Sequence, residues 1–416
     1  MIDNPDSASR STASRRTWLK GIAIGAATGL AGCSGGGGGG GNGESSGDGG
    51  GGTDGGATTG TSGGGSGSQT LGISVKALFD PFMQTLMRTA QWYAEDNGFE
   101  VMTANAESDA AQQNQQVRNM LNSGIDALLI SPHSSDAAVA AVEQATEQDV
   151  PVFTFNSTAN SSDVKLFTSF GNEAAAYQAG QEIGTMLQES GGGSVFEVQG
   201  DPADQAGVLR SRGFHRAIEE FDDVEIASSA QTDWTRQQST EVTRSYLQKN
   251  KDIDAIYGAG GPQILGPLQA LEQEGMKTKT GEEGHVILGG IDGFPEVLTQ
   301  IQNGYVDLAI DQPNQFYGAL SIEYMMKYLE SGDESVLPEP GSEVTGDDVT
   351  FNGNQHAGVN PWEQPPSSYW APADVLTYSF EENDLHPQIK TQALTVTQEN
   401  VGKGFLWGKL AEQILS

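Results

Sequence analysis

Short stretches of this 416-residue chain join hydrogen-bonding side chains to flat rings or glycine. They are Phe79-Asp80-Pro81-Phe82, Pro132-His133, Asn156-Ser157, the run from Asp201 to Arg210, Asp233-Trp234, the run from Gly258 to Gly261, Asp292-Gly293 and Asp311-Gln312. Asp, Asn, Gln and Arg bond neutral hydroxyls at fixed angles. Phe82 and Trp234 offer flat apolar faces to the C–H side of a ring. The set suits capture of a polar, ring-shaped small molecule.

Bond-breaking chemistry has less support. The five histidines (His133, His215, His285, His356 and His386) are scattered, with no H-E-x-x-H pair. Gly258-x-Gly260 follows a strand-like run, but Gln263 stands where a dinucleotide fingerprint needs its third glycine. Two G-x-S-x-G matches, at 32–36 and 60–64, sit in or beside a glycine tract and lack a strand–turn–helix context. A single cysteine excludes a Cys-cluster metal site, and no D-x-D-x-D-G loop occurs. No catalytic residue, metal or cofactor is therefore expected, and the chain reads as a binder.

These stretches need elements to position them. From Thr70 onward, strand-like runs alternate with amphipathic ones. The first series predicts strands at 71–77, 100–103, 125–131, 150–155 and 164–169. Between them lie helices, one on Phe82, Leu86, Ala90 and Tyr93 and others at 110–122 and 135–148. The second series predicts helices at 172–189 (capped by Asn172), 208–220, 235–249, 262–274, 295–303 and 313–330. Its strands fall at 194–199, 224–229, 253–257, 285–291 and 306–310. Such alternation predicts an α/β fold of two doubly wound parallel-sheet lobes. Ligands of such sheets bind beyond the carboxyl ends of the strands, where the polar stretches fall.

The N-terminus reads as an address. Ser14-Arg15-Arg16-Thr17-Trp18-Leu19-Lys20 is a twin-arginine pattern, followed by an apolar run at 21–31 and by Leu30-Ala31-Gly32-Cys33. The run is too short to span a bilayer and fits an export signal. Cys33 is the expected lipidation point, which would hold the protein at the outer face of the cytoplasmic membrane. Residues 34–68 contain 20 glycines and read as a flexible tether of about 30–35 Å reach. The folded part carries the charge: 55 Asp+Glu against 21 Lys+Arg over the whole chain, a net −34. That excess argues against a nucleic-acid partner. It reads as the solvated acidic coat of proteins from halophiles, which repels itself at low salt.

Residues 70–335 resemble the periplasmic sugar-binding proteins of ABC importers, of the ribose-binding type. The carrying segments are Phe79-Asp80-Pro81-Phe82-Met83, Ile125-Asp126-Ala127-Leu128-Leu129-Ile130-Ser131-Pro132, Val150-Pro151-Val152-Phe153-Thr154-Phe155, Arg210-Ser211-Arg212-Gly213-Phe214, Gly290-Ile291-Asp292-Gly293 and Asp311-Gln312-Pro313. The resemblance implies a type I periplasmic binding protein fold, with lobes joined by a hinge of three crossovers and closing on ligand. The first lobe would comprise residues 70–171 plus 313–334 and the second 172–312, with the tail at 335–416 extending the second lobe or the hinge.

It also implies contact positions. Asp80 falls where many members carry an Asn that grips a hydroxyl, although it equally suits the N-cap of a helix starting at Pro81, or a pair with Lys76. Phe82 and Trp234 match two aromatic walls, and Arg210, Asp292 and Gln312 match polar contacts. Asn156-Ser157 replaces the Asp-Arg pair usual in pentose binders, Gly260 replaces an Asn, and Lys76 a small polar residue. These departures imply a roomier, less ionic pocket for a larger or deoxygenated sugar, a polyol or a sugar-like signal. The implied partners are an ABC permease with its ATPase, met by a monomer. A receptor module presenting a signal such as an autoinducer or nucleoside to a membrane sensor would share every feature. A sugar-responsive transcription regulator is opposed by the export signal and by the lack of a basic helix-turn-helix segment.

Overall fold

Residues 68–202, 204–363 and 369–416 are described by a computed structural model. The expected export signal, the lipidation point Cys33 and the tether up to residue 67 lie outside the described residues.

The first half of the chain winds β1 (Thr70–Val75), α1 (Pro81–Asp96), β2 (Glu100–Asn105), α2 (Ala110–Asn122), β3 (Ala127–Ser131), α3 (Val139–Thr146), β4 (Val152–Phe155) and β5 (Val164–Phe170) into one sheet. A second sheet takes up α4 (Asn172–Glu189), β6 (Gly193–Val198), α5 (Gln205–Ile218), β7 (Val224–Ala230), α6 (Arg236–Leu247), β8 (Ala255–Gly258), α7 (Gly261–Gln273), β9 (Ile287–Ile291), α8 (Pro295–Asn303) and β10 (Leu308–Asp311). All these strands pair in parallel. Central strands such as β3, Ala-Leu-Leu-Ile-Ser, are buried along their whole length because helices cover both faces. Helix α9 (Gln315–Ser331) then returns to pack on α1 and β5.

Local chemistry sets the boundaries. Asp80 caps α1 through the Met83 N–H, with Pro81 at the first helical position. Helix α8 stops at Gly304, whose φ of 80° lies in the left-handed region. Helix α3 is shorter than expected, because residues 135–138 turn before it starts. Asn172 is not the cap of α4. Gly171 takes that place, and the Asn172 side chain accepts from Arg210 instead.

The tail differs most from expectation. It supplies β11 (Glu343–Val344), β12 (Ala373–Phe380), β13 (Asn383–Thr391), β14 (Leu394–Val396) and α10 (Trp407–Ile414). Strands β11–β13 extend the first sheet, in the order β11-β12-β13-β5-β4-β3-β1-β2, and not the second lobe. Only β14 joins the second sheet, antiparallel to β10, in the order β14-β10-β9-β8-β6-β7. The chain thus passes between sheets three times, after β5, β10 and β13. Tail side chains also close the core. Trp362 donates to the Gln315 carbonyl at 3.0 Å, and Trp407 is fully buried between Phe82 and Phe294 at ring distances of 5.5 and 5.2 Å.

Candidate functional site

The carboxyl ends of the strands carry the polar stretches, as a doubly wound sheet requires. Three of these positions share an uncommon backbone. Asn156, Trp234 and Asp292 have φ of 64°, 64° and 75°. A left-handed conformation costs a non-glycine residue about 1–2 kcal/mol. Such strain collects where a side chain must be aimed off the end of a strand.

One network ties the second lobe to the hinge. Arg210, on α5, donates Nε–H to Asn172 Oδ1 at 2.8 Å and Nη1–H to the Ala259 carbonyl at 2.8 Å. The same Nη1 lies 3.3 Å from Asp292 Oδ2, an ion pair with side chains only 8% and 10% exposed. The other Asp292 oxygen accepts from Gln312, whose own carbonyl oxygen accepts from the Tyr317 hydroxyl at 2.9 Å. The guanidinium also lies over the rings of Trp234 and Phe170, at 5.6 and 5.7 Å. Arg210, Trp234, Asp292 and Gln312 therefore converge, and Gly260 abuts them.

Lys76 and Asp80 approach this network from the first lobe. Lys76 does not pair with Asp80 but reaches Asp204 on the second lobe, 3.5 Å away. Asp80 Oδ1 accepts from the Met83 N–H at 2.8 Å. Burial, opposed by that bond and aided by the negative charge of Asp292, pushes the Asp80 carboxyl up to about 6. Burial likewise pushes Asp311 up to about 8, against a 2.6 Å bond from the Tyr369 hydroxyl.

The other expected residues sit differently. Phe82 meets the edge of Trp407, and its carbonyl accepts from Asn314 at 3.2 Å. Asn156 and Ser157 belong to a first-lobe cluster. Asn156 donates to Ser131 Oγ at 3.4 Å, and Ser157 donates to the Pro132 carbonyl at 2.8 Å. The expected room beside Gly260 is taken up. A Cβ there would lie 2.9 Å from Gln263 Oε1, 3.2 Å from the Trp234 indole and 3.3 Å from Asp292 Oδ2. The indole also fills the space over Gly200, where a Cβ would clash at 2.1 Å. Charge is nonetheless present in the cleft, on Lys76, Asp80 and Asp204.

Asp204 lies in the candidate run from Asp201 to Arg210, but sequence does not single it out, because its partner Lys76 is 128 residues away and the helix it caps starts earlier than the predicted 208. Asn172 and Trp407 were likewise read as a cap and a tail residue, since nothing local in sequence links them to Arg210 or Phe82. Outside the cleft, a groove of about 560 Å³ on the second lobe is lined by Val208, Arg212, His215 and Arg216 among others. Its arginines are already paired with Glu173.

Comparison with known proteins agrees with this architecture. The ribose import binding protein RbsB of Bacillus subtilis is 28% identical over 254 residues, covering 61% of this chain and 79% of that protein. The galactofuranose-binding protein YtfQ of Escherichia coli is 25% identical over 252 residues, covering 59% and 76%. A solved ABC transporter solute binding protein from Bacillus halodurans, with bound myo-inositol, superposes with a TM-score of 0.62 at 20% identity, covering 82% of this chain and 99% of that one. At that identity the superposition speaks for the fold alone. The model of the periplasmic binding protein domain matches residues 71–334, well over half of the sequence, and this chain belongs to that family.

Proposed function

We propose that this chain is an extracytoplasmic solute-binding lipoprotein. It captures a sugar or sugar-like molecule between its lobes and delivers it to the permease and ATPase of an ABC importer. The observation that carries the reading is the Arg210–Asp292–Gln312 network, sheltered where the second lobe meets the hinge and faced by Asp80 from the first lobe. Charged and amide groups fixed at that depth by second partners are costly unless they serve recognition. Relatives named for ribose and galactofuranose binding lend the ligand class.

In this reading Arg210, Asp292, Gln312 and Asp80 bond ring hydroxyls, while Phe82 and Trp234 flank the ring. Asn156, Ser157, Gly260 and Lys76 shape the pocket edge. The first lobe comprises residues 70–171 and 313–334, the second 172–312. Ligand binds the closed arrangement better than the open one, and that difference drives closure. Nothing is done to the ligand chemically. A twin-arginine signal exports the folded protein, and lipid on Cys33 keeps the monomer beside its permease.

The test is thermal unfolding in molar salt against pentoses, hexoses, deoxysugars, polyols and nucleosides. A ligand at about 100 times its Kd adds about 2.7 kcal/mol and raises Tm clearly. A folded protein whose Tm is moved by no sugar or polyol contradicts the reading.

A further inference from the structure

The charges of the cleft do not balance. Its two cations are both engaged, Lys76 with Asp204 at 3.5 Å and Arg210 with Asp292 at 3.3 Å. Asp80 is left over. Its carboxylate accepts from the Met83 N–H, and among the described residues no cation comes within ion-pair distance. Asp292 faces it from the other lobe and adds to the negative field, while Lys76 subtracts from it. A sheltered carboxylate without a cationic partner is unfavourable, and it is the kind of site that a ligand charge relieves.

Neutral groups around the network are also left without partners. Gln263 and Asn314 are fully buried, and their amide nitrogens are engaged, with Thr232 and Ser239 and with the Phe82 carbonyl. Their carbonyl oxygens have no protein partner. Gln263 Oε1 is aimed at Gly260, beside Asp292 and Trp234. Asn314 is held to the backbone two residues from Asp80. Trp234 Nε1, beside Gly260, and Trp407 Nε1, on the ring packed against Phe82, are donors that also lack a partner. A hydroxyl brings one donor together with two acceptor lone pairs. An ammonium brings three donors, no acceptor and the missing charge.

We propose that the ligand captured in this cleft is an amine-bearing polyhydroxylated ring, its ammonium seated against the Asp80 carboxylate. The inference rests on the cleft being the capture site. The test is calorimetric titration of the full chain with aminodeoxy hexoses, pentoses and inositols, each beside its hydroxyl parent. At pH 7 at least one amine should bind about tenfold or more tighter than its parent. The advantage should vanish at pH 5, where Asp80 holds a proton, and in Asp80→Asn, which keeps the helix cap. Parents that bind as tightly as their amines overturn the proposal and leave sugar capture standing. An amine advantage that survives Asp80→Asn also overturns it. If neither amines nor parents bind, the proposal falls together with the capture reading.

Discussion

Lys76 at the end of β1 and Asp204 at the cap of α5 meet at 3.5 Å from opposite lobes. Asp204 spends one oxygen on the Ala206 N–H, which fixes the helix start, and offers the other to Lys76. Their side chains are 21% and 28% exposed, so salt screens the pair only in part. In the proposed capture by closure, the pair favours the closed arrangement, because it spans the two lobes.

Lys76→Met and Asp204→Asn should each weaken ligand binding by about two- to fivefold, the worth of a partly exposed ion pair. Asn keeps the cap, so the second variant isolates the charge. The double variant should be no weaker than either single one, by titration calorimetry. Additive losses would show that the two side chains act separately.

Asn172 orients Arg210 through the Nε bond. Asn172→Ala should cost about 1–2 kcal/mol of binding, while Asn172→Asp, which keeps an acceptor, should bind nearly as the wild type does. Equal losses in the two variants would assign Asn172 a purely structural role.

The positions of Asp292 and Gln312 in the network were legible because strands and helices of regular period place strand ends predictably, whereas Arg210 lies within α5. The predicted spans of α2, α4 and α8 coincide with those observed, since caps and glycines bound them. What escaped was non-local. Strand β12 alternates buried and exposed residues only loosely, and its neighbour β13 contains Pro387, so neither reads as a sheet strand until β5 lies beside it. Asn156 and Asp292 are residue types that tolerate the left-handed backbone, but the same conformation at Trp234 leaves no mark in residue type, since Trp rarely adopts it. The extra room inferred at Gly260 is not found there, because Gln263 on the adjoining helix and Trp234 and Asp292 from other loops already crowd it.

Trp407 anchors the tail to both lobes. Trp407→Ala should destabilise the protein by about 3–5 kcal/mol in denaturant titrations at high salt. Gly408→Ala should also destabilise, because its Cβ would lie 2.1 Å from the Gly293 carbonyl oxygen. A wild-type midpoint in both variants would mean that α10 is not part of the cooperative unit.

His386 is buried between the Ser161 carbonyl and Thr158, and burial pushes its pKa down from 6.5 to about 4. The folded state therefore binds this proton less readily than the unfolded chain. The resulting stability is fully present above about 6.5 and fades as pH falls toward 4, by up to about 3 kcal/mol. Urea unfolding of wild type and His386→Gln across pH 4–7 should give a shallower pH slope for the variant. Parallel slopes would exclude His386 as the source.

The most direct test of the central claim is the Kd of the best sugar or polyol ligand for wild type and Arg210→Ala, measured on protein that still melts cooperatively. Loss of the guanidinium leaves a ligand oxygen and Asp292 Oδ2 unpaired, so affinity should fall by about 1–3 kcal/mol, or roughly 5- to 150-fold. An unchanged Kd would contradict capture between the lobes at this network.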